Sequence, residues 1–276
     1  MLSKKRRLQR VTLQAHQVTP ALQINSAIAL TAEQRNYLHN VLRLNVGAEF
    51  IALDGRGIWW LAKLGKDANT AEIIAKIEND TELSVKVILG IAMPKGNNIE
   101  SVIRQTTELG IRQIAPLYSD RTIIKSGTEL GNQKRDRWQR IAEEAAELSM
   151  RTYIPEVNTP QNLATWLSDL LDSPILRYIC VTTPDAPHLL TSLQNTNLQN
   201  TDLQNTNSQN ANNLPIAIAT GCEGGWTVRE EEMAIAAGFM PVSLGDRVLS
   251  AVTAPVVALA VVGAFLDTSS GVSSES

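Results

Sequence analysis

Few residues in this chain are of the kinds that make or break bonds unaided. Its 276 residues include 3 histidines, His16, His39 and His188, and 2 cysteines, Cys180 and Cys222. The histidines are scattered. No H-E-x-x-H, C-x-x-C or EF-hand loop occurs, so no metal site is expected. There is no G-x-S-x-G elbow of a hydrolase. Chemistry must therefore come from a bound cofactor and from groups that polarise its substrate. Arg121 and Arg151 both follow apolar segments in loop positions, where either can stabilise an anion, grip a phosphate or form a surface salt bridge. Glu108 and Glu144 fall within helical patterns and read as part of solvated faces. Cys222 is placed to be a nucleophile, but a small buried thiol is the favoured reading, because no histidine or second cysteine lies near it in sequence.

Two glycine-bearing loops stand out as the place where a cofactor would sit. The apolar run Ile216-Ala217-Ile218-Ala219 reads as a buried strand. It stops at Thr220-Gly221-Cys222-Glu223-Gly224-Gly225. Thr227-x-x-Glu230 is a capping box that opens a helix, and Gly238 suits its C′ position. A second short strand, Met240 to Ser243, ends at Leu244-Gly245, and a final apolar helix runs from near Ala251 to about Leu266. Ligands of open α/β sheets lie beyond the carboxyl ends of such strands. Neither loop carries a G-x-G-x-x-G or G-x-x-x-x-G-K-[ST] cradle, so the ligand should be neither an ordinary dinucleotide nor a triphosphate.

The elements that must position these loops form two parts. Residues 1–80 read as a strand-rich unit with one helix. That helix opens at the capping box Thr31-x-x-Gln34, and a hairpin turns at Asp54-Gly55-Arg56-Gly57. Small β-barrels of this kind carry RNA or serve as structural modules, and pattern alone leaves both open. From residue 81 onward, strands alternate with helices of ten to fifteen residues, the signature of a largely parallel α/β sheet. Within that part, 193–213 repeats LQNTN-like pentapeptides and reads as a polar, disordered insertion, and 267–276 as a mobile tail. The formal net charge is −3, yet Lys4, Lys5, Arg6, Arg7 and Arg10 crowd the first ten residues. The paucity of cysteine fits a reducing cytoplasm. No apolar run is long enough for a membrane span, and no secretory signal follows the basic start.

Taken together, several segments resemble the small-subunit ribosomal RNA uracil-N3 methyltransferases of the trefoil-knot (SPOUT) superfamily. They are Ala92-Met93-Pro94-Lys95-Gly96, Gln105-Thr106-Thr107-Glu108-Leu109-Gly110, Ser119-Asp120-Arg121-Thr122, Glu143 through Arg151, Gly221-Cys222-Glu223-Gly224-Gly225, and Ser243 through Leu249. The resemblance implies a PUA-like RNA-binding β-barrel followed by a knotted α/β domain, a homodimer, and S-adenosylmethionine as cofactor. It places the cofactor on Ala219, Thr220, Gly221, Glu223, Gly224 and Gly225, and on Val242, Ser243, Leu244, Gly245, Arg247, Val248 and Leu249. Arg121 would stabilise the uracil anion. Phosphate contacts are expected from Lys4, Lys5, Arg6, Arg7, Arg10, Arg43, Lys95 and Arg151. The chain departs from the family at Cys222 (usually Pro), Leu148 (Gln), Ser250 (Arg) and Val252 (Glu). Methylation of a different RNA position, or a non-catalytic role in ribosome assembly, are the competing expectations.

Overall fold

The computed structural model describes residues 8–67, 69–79, 81–123, 128–202 and 214–270. The chain divides into two compact units: one runs through Glu82 and also takes in Ala146–Ile154, and the other comprises Leu83–Ala145 and the chain from Pro155 onward.

The first unit is a five-stranded mixed sheet ordered β1-β3-β4-β5-β2. Its strands are β1 (Arg10–Thr12), β2 (Ala27–Ala29), β3 (Glu49–Leu53), β4 (Trp59–Leu64) and β5 (Thr70–Ile77). The expected hairpin is β3–β4, antiparallel, with Leu53 opposite Trp59. A register shift at Leu61/Ala62 bends β4 against β5. Leu38, Phe50, Trp60 and Ile73 fill one side of the sheet, and Ile51, Leu53, Trp59 and Ile77 the other. The helix α1 (Ala32–Arg35) opens at the expected capping box, Thr31 with Gln34. It then widens into a π-turn over Asn36–Val41, beyond which Arg43 takes a left-handed φ of 52°.

Sequence patterning placed Ala146–Ile154 with the second part, but the structure assigns it to the first unit. Three of the contacts that hold it there are these. The Trp59 indole Nε1 donates to the Arg151 carbonyl, 3.2 Å. Arg56 bridges Tyr153, and Arg151 pairs with Glu82. All three join residues far apart in sequence, so no local pattern announces them.

The second unit is a parallel sheet ordered β12-β10-β11-β6-β7-β8, with β9 also on β7. The strands are β6 (Val87–Ala92), β7 (Gln113–Tyr118), β8 (Glu156–Val157), β9 (Gln161–Asn162), β10 (Leu176–Cys180), β11 (Ile216–Thr220) and β12 (Met240–Val242). All six residues of β6 are buried, as expected of a strand covered on both faces. Its side chains alternate. Val87, Leu89 and Ile91 join one core with Ile99, Val102 and Ile103 of α2 (Asn98–Glu108) and Trp138 of α3 (Thr128–Leu148). Leu259 and Val262 of the last helix, α7 (Thr253–Ser270), complete it. Ile88 and Ala92 join the opposite core with Trp166 of α4 (Leu163–Asp169) and Ala234 of α6 (Val228–Ala236).

The pentapeptide segment departs from expectation. Helix α5 (Leu189–Asp202) runs through its first ten residues, and Leu189 and Leu193 are buried in the first of these cores. Their four-residue spacing puts both on one helical face, a signal masked by the surrounding Asn and Gln. Residues 203–213 lie outside the described residues. Of the tail, 267–270 are the end of α7, and 271–276 lie outside the described residues. Removing a buried leucine side chain strips its contacts and leaves a cavity. Leu193→Ala should therefore destabilise the protein by about 2–5 kcal/mol in equilibrium urea unfolding. A loss below about 0.5 kcal/mol, the range of an ordinary surface substitution, would show that α5 is not anchored there.

Candidate active site

The carboxyl ends of β10, β11 and β12 feed three loops into one cleft of about 400 Å³. The parallel pairing of β10 with both β11 and β12 sets their ends side by side. The loop after β10 supplies Val181, Thr182, Thr183 and Pro184. The loop after β11 supplies Gly221, Gly224, Gly225 and Trp226. The loop after β12 supplies Ser243 through Leu249, and Arg121 enters from the end of β7. The two glycine loops singled out from sequence thus meet, together with a third that carries no glycine signal.

The loop after β11 is shaped by what its glycines lack. Gly225 has φ +68°, and a Cβ there would meet nothing within 4 Å. A Cβ on Gly224 would come within 3.0 Å of Arg121 Cδ. Arg121 crosses this loop closely because Gly224 is bare. Its Nη1 donates to the carbonyls of Gly224 and of Trp226, the latter at 3.0 Å. Nε and Nη2 make no hydrogen bond among the described residues. The Trp226 indole is buried and donates to the Cys180 carbonyl, 3.2 Å, tying this loop to the end of β10.

The capping box of α6 doubles as a clamp. The Glu230 carboxylate, 2% exposed, accepts from the backbone N–H groups of Thr227 and of Asp120, both at 2.8 Å. Asp120 in turn accepts from Arg229, 2.8 Å, and from the Thr227 hydroxyl, 3.0 Å. These bonds, Arg229 first, hold the Asp120 carboxyl below the usual aspartate range. Arg121 follows directly in the chain, so the clamp fixes the backbone that delivers it to the cleft.

The expected cofactor residues divide. Gly221, Gly224, Gly225, Ser243, Leu244, Gly245, Arg247, Val248 and Leu249 line the cleft. Ala219, Thr220 and Val242 do not: they are the last strand residues, fully buried beneath it. Glu223 also points elsewhere, its carboxylate accepting from the Lys95 backbone N–H, 3.0 Å. Sequence reasoning missed Cys180 through Pro184, Trp226, Glu231, Ala251 and Ala254. Cys222 is buried, with Sγ 3.9 Å from the Ser119 hydroxyl. Burial pushes the Cys180 thiol up to about 12, which makes it a poor nucleophile. Among the described residues, no three His, Cys, Asp or Glu side chains gather as metal ligands.

The departures from the family pattern have structural roles. The Ser250 hydroxyl accepts from Thr253 N, 3.1 Å, at the start of α7, and Val252 packs on the core. Leu148 is exposed.

Among the candidate phosphate contacts, Arg43 and Lys95 are exposed. Arg10 lies in β1, where its Nη1 donates to the Glu147 carbonyl, 3.3 Å. Lys4, Lys5, Arg6 and Arg7 lie outside the described residues. Arg151 is misplaced by sequence reasoning. It is 3% exposed, and its guanidinium grips Glu82, with Nε donating at 3.0 Å. A buried cation locked on a carboxylate is not placed to meet RNA phosphate.

A parallel α/β unit with a cleft at the carboxyl edge of its sheet, in a chain that also carries a small β unit, is the architecture of the RNA methyltransferases of the knotted α/β class with a PUA-like domain. Residues 81–263 match the RNA methyltransferase domain family, and residues 30–87 the RNA methyltransferase PUA domain. Ribosomal RNA small subunit methyltransferase E of Synechocystis sp. is 40% identical over 251 residues, covering 91% of this chain and 77% of that protein. The Bacillus subtilis protein of the same name is 28% identical over 240 residues, covering 85% and 88%. A crystal structure of the Neisseria gonorrhoeae enzyme bound to S-adenosyl methionine superposes with a TM-score of 0.75 at 26% identity, covering 92% of this chain and 95% of that one. The chain belongs to the ribosomal RNA small subunit methyltransferase E family.

Proposed function

We propose that the protein methylates N3 of a uridine in small-subunit ribosomal RNA, using S-adenosylmethionine. The observation that carries this reading is the cleft itself. Three loops aim backbone groups and little bulk into a space of about 400 Å³, and Arg121 crosses the glycine loop after β11. The open side of Gly225 leaves room for a ligand against main chain, which suits an adenosyl group held by backbone donors and acceptors. The bound cofactor supplies an electrophilic methyl group on a sulfonium.

Uracil N3 carries a proton, and its anion is the competent nucleophile. The developing charge spreads onto the two flanking carbonyl oxygens. Arg121 is built to meet it. One guanidinium nitrogen is anchored on loop carbonyls, and the N–H groups of Nε and Nη2 remain for the base. A donor fixed before the reaction stabilises charge without reorganising. Trp226 and the capping clamp hold that donor relative to the loop, so positioning of the base adds to the effect. The base must be turned out of its stack to reach the cleft. Arg43, Lys95 and the basic N-terminal segment supply phosphate contacts, which position the RNA without specifying it. We further read the enzyme as a cytoplasmic homodimer. The exposed Val228 and Val248 supply apolar surface for a second copy.

The test is methyl transfer from labelled S-adenosylmethionine to small-subunit ribosomal RNA, followed by mass mapping of the digested RNA. One uridine bearing an N3-methyl group is expected, and Arg121→Ala should reduce its formation by about 100-fold or more, the loss seen when one oxyanion donor is removed. A methyl group on a ribose or on another base would overturn the reading.

A further inference from the structure

Four charged side chains line the cleft: Arg121, Glu231, Asp246 and Arg247. Asp246 and Arg247 are exposed, where water screens them. Glu231 is only partly exposed and differs from its neighbours on α6. Glu230 is buried in the capping clamp, and Glu232 faces solvent. The Glu231 backbone N–H donates to the Thr227 carbonyl, 3.0 Å, in the first turn of α6, so the capping box fixes where its side chain starts. Among the described residues its carboxylate has no hydrogen bond or ion pair.

A carboxylate drawn partly out of water, without a protein partner, is costly to keep charged. Burial accordingly raises the Glu231 carboxyl, and the charge of Arg121 only partly opposes this. The arrangement makes sense when a cation arrives. S-adenosylmethionine has two positive groups, the sulfonium and the α-ammonium, against one carboxylate. We infer that Glu231 is the counter-charge for a positive group of the bound cofactor. The inference rests on the reading of the cleft as an S-adenosylmethionine site. With the sulfonium as that group, Glu231 also favours the cofactor over the demethylated product, which has lost the sulfonium charge; with the ammonium, it holds both alike.

Titration calorimetry of the full chain with S-adenosylmethionine and with S-adenosylhomocysteine tests it. Glu231→Gln, which keeps shape and removes charge, should weaken S-adenosylmethionine binding by about tenfold or more, as loss of a hydrogen bond to a charged group does. Loss for the sulfonium form alone identifies the sulfonium as the partner. Equal loss for both ligands identifies the ammonium. Glu231→Asp, which keeps the charge, should recover part of the affinity. Circular dichroism and thermal midpoint of the unliganded variants should match wild type. Wild-type affinity for both ligands in Glu231→Gln would overturn the inference while leaving the cofactor reading intact. Failure of the wild-type protein to bind S-adenosylmethionine would instead overturn the cofactor reading.

Discussion

Gly225→Val is expected to abolish S-adenosylmethionine binding and to leave the protein folded. Two effects act together. Gly225 sits at φ +68°, a conformation that costs an L-residue roughly 1–2 kcal/mol and a β-branched one more. Its absent Cβ also points into open space that is part of the cleft wall. The loop must therefore either keep its shape and fill the site with an isopropyl group, or relax and withdraw its backbone groups from the ligand. Both outcomes remove the site. The sheet beneath is untouched, because Ala219 and Thr220 are held in register by Gly90 and Ile91 of β6. Calorimetry should show no heat of binding, a loss of about 100-fold or more in affinity. Stability should fall only by the strain, about 2–3 kcal/mol. Retained affinity would remove this loop from the cofactor site.

What the sequence disclosed about that site was its local part. A strand running into glycine, a capping box at Thr227-x-x-Glu230 and a short strand from Met240 that leads into the Leu244-Gly245 loop are each encoded within a dozen residues, and each is present. The cleft itself depends on strand order. β10 lies between β11 and β12, and that neighbourhood brings Cys180 through Pro184 to the glycine loops. Thr182, Thr183 and Pro184 carry no pattern that would mark them as ligand-facing. Glu231 was illegible for a related reason. It stands in a run of three glutamates, and only the packing of α6 against the sheet decides which of them faces the cleft. Ala219, Thr220 and Val242 erred in the opposite direction, because a ligand loop and the strand that feeds it are contiguous in sequence but the strand end is core. Residues 189–202 show composition misleading: polar residues outnumber apolar ones, yet two leucines four apart suffice to dock a helix.

Arg151 is the largest error of residue role, and it yields the second prediction. Glu82 accepts from Arg151 Nε, from Thr152 N at 2.7 Å and Thr152 Oγ1 at 3.1 Å, and from Tyr153 N at 3.1 Å. The pair is largely shielded, with side-chain exposures of 2% for Arg151 and 17% for Glu82. Burial alone would raise the Glu82 carboxyl. The hydrogen bond and charge of Arg151, with the N–H groups of Tyr153 and Thr152, outweigh burial and hold it below its ordinary value. Glu82→Ala removes the carboxylate that a buried guanidinium and two backbone N–H groups donate to, and should destabilise the first unit by about 3–5 kcal/mol at neutral pH.

The sign of the pH dependence follows from the depressed value. In the unfolded chain Glu82 returns to its ordinary range, so below that range the unfolded state takes up a proton that the folded state resists. The stabilisation is complete above the unfolded value and is lost as pH falls through the folded one. Wild type and Glu82→Ala should therefore converge in urea unfolding as pH is lowered from neutral to about 3. Exchanging both partners, Glu82→Gln with Arg151→Met, should recover part of the loss, because no unpaired charge then remains buried. RNA binding by Arg151→Ala, measured at a temperature where the variant is folded, should keep the wild-type salt dependence, since no phosphate contact is removed. A gap between wild type and Glu82→Ala that stays constant with pH would show that Glu82 contributes by packing and not by charge, and a flattened salt slope for Arg151→Ala would return that arginine to the RNA surface.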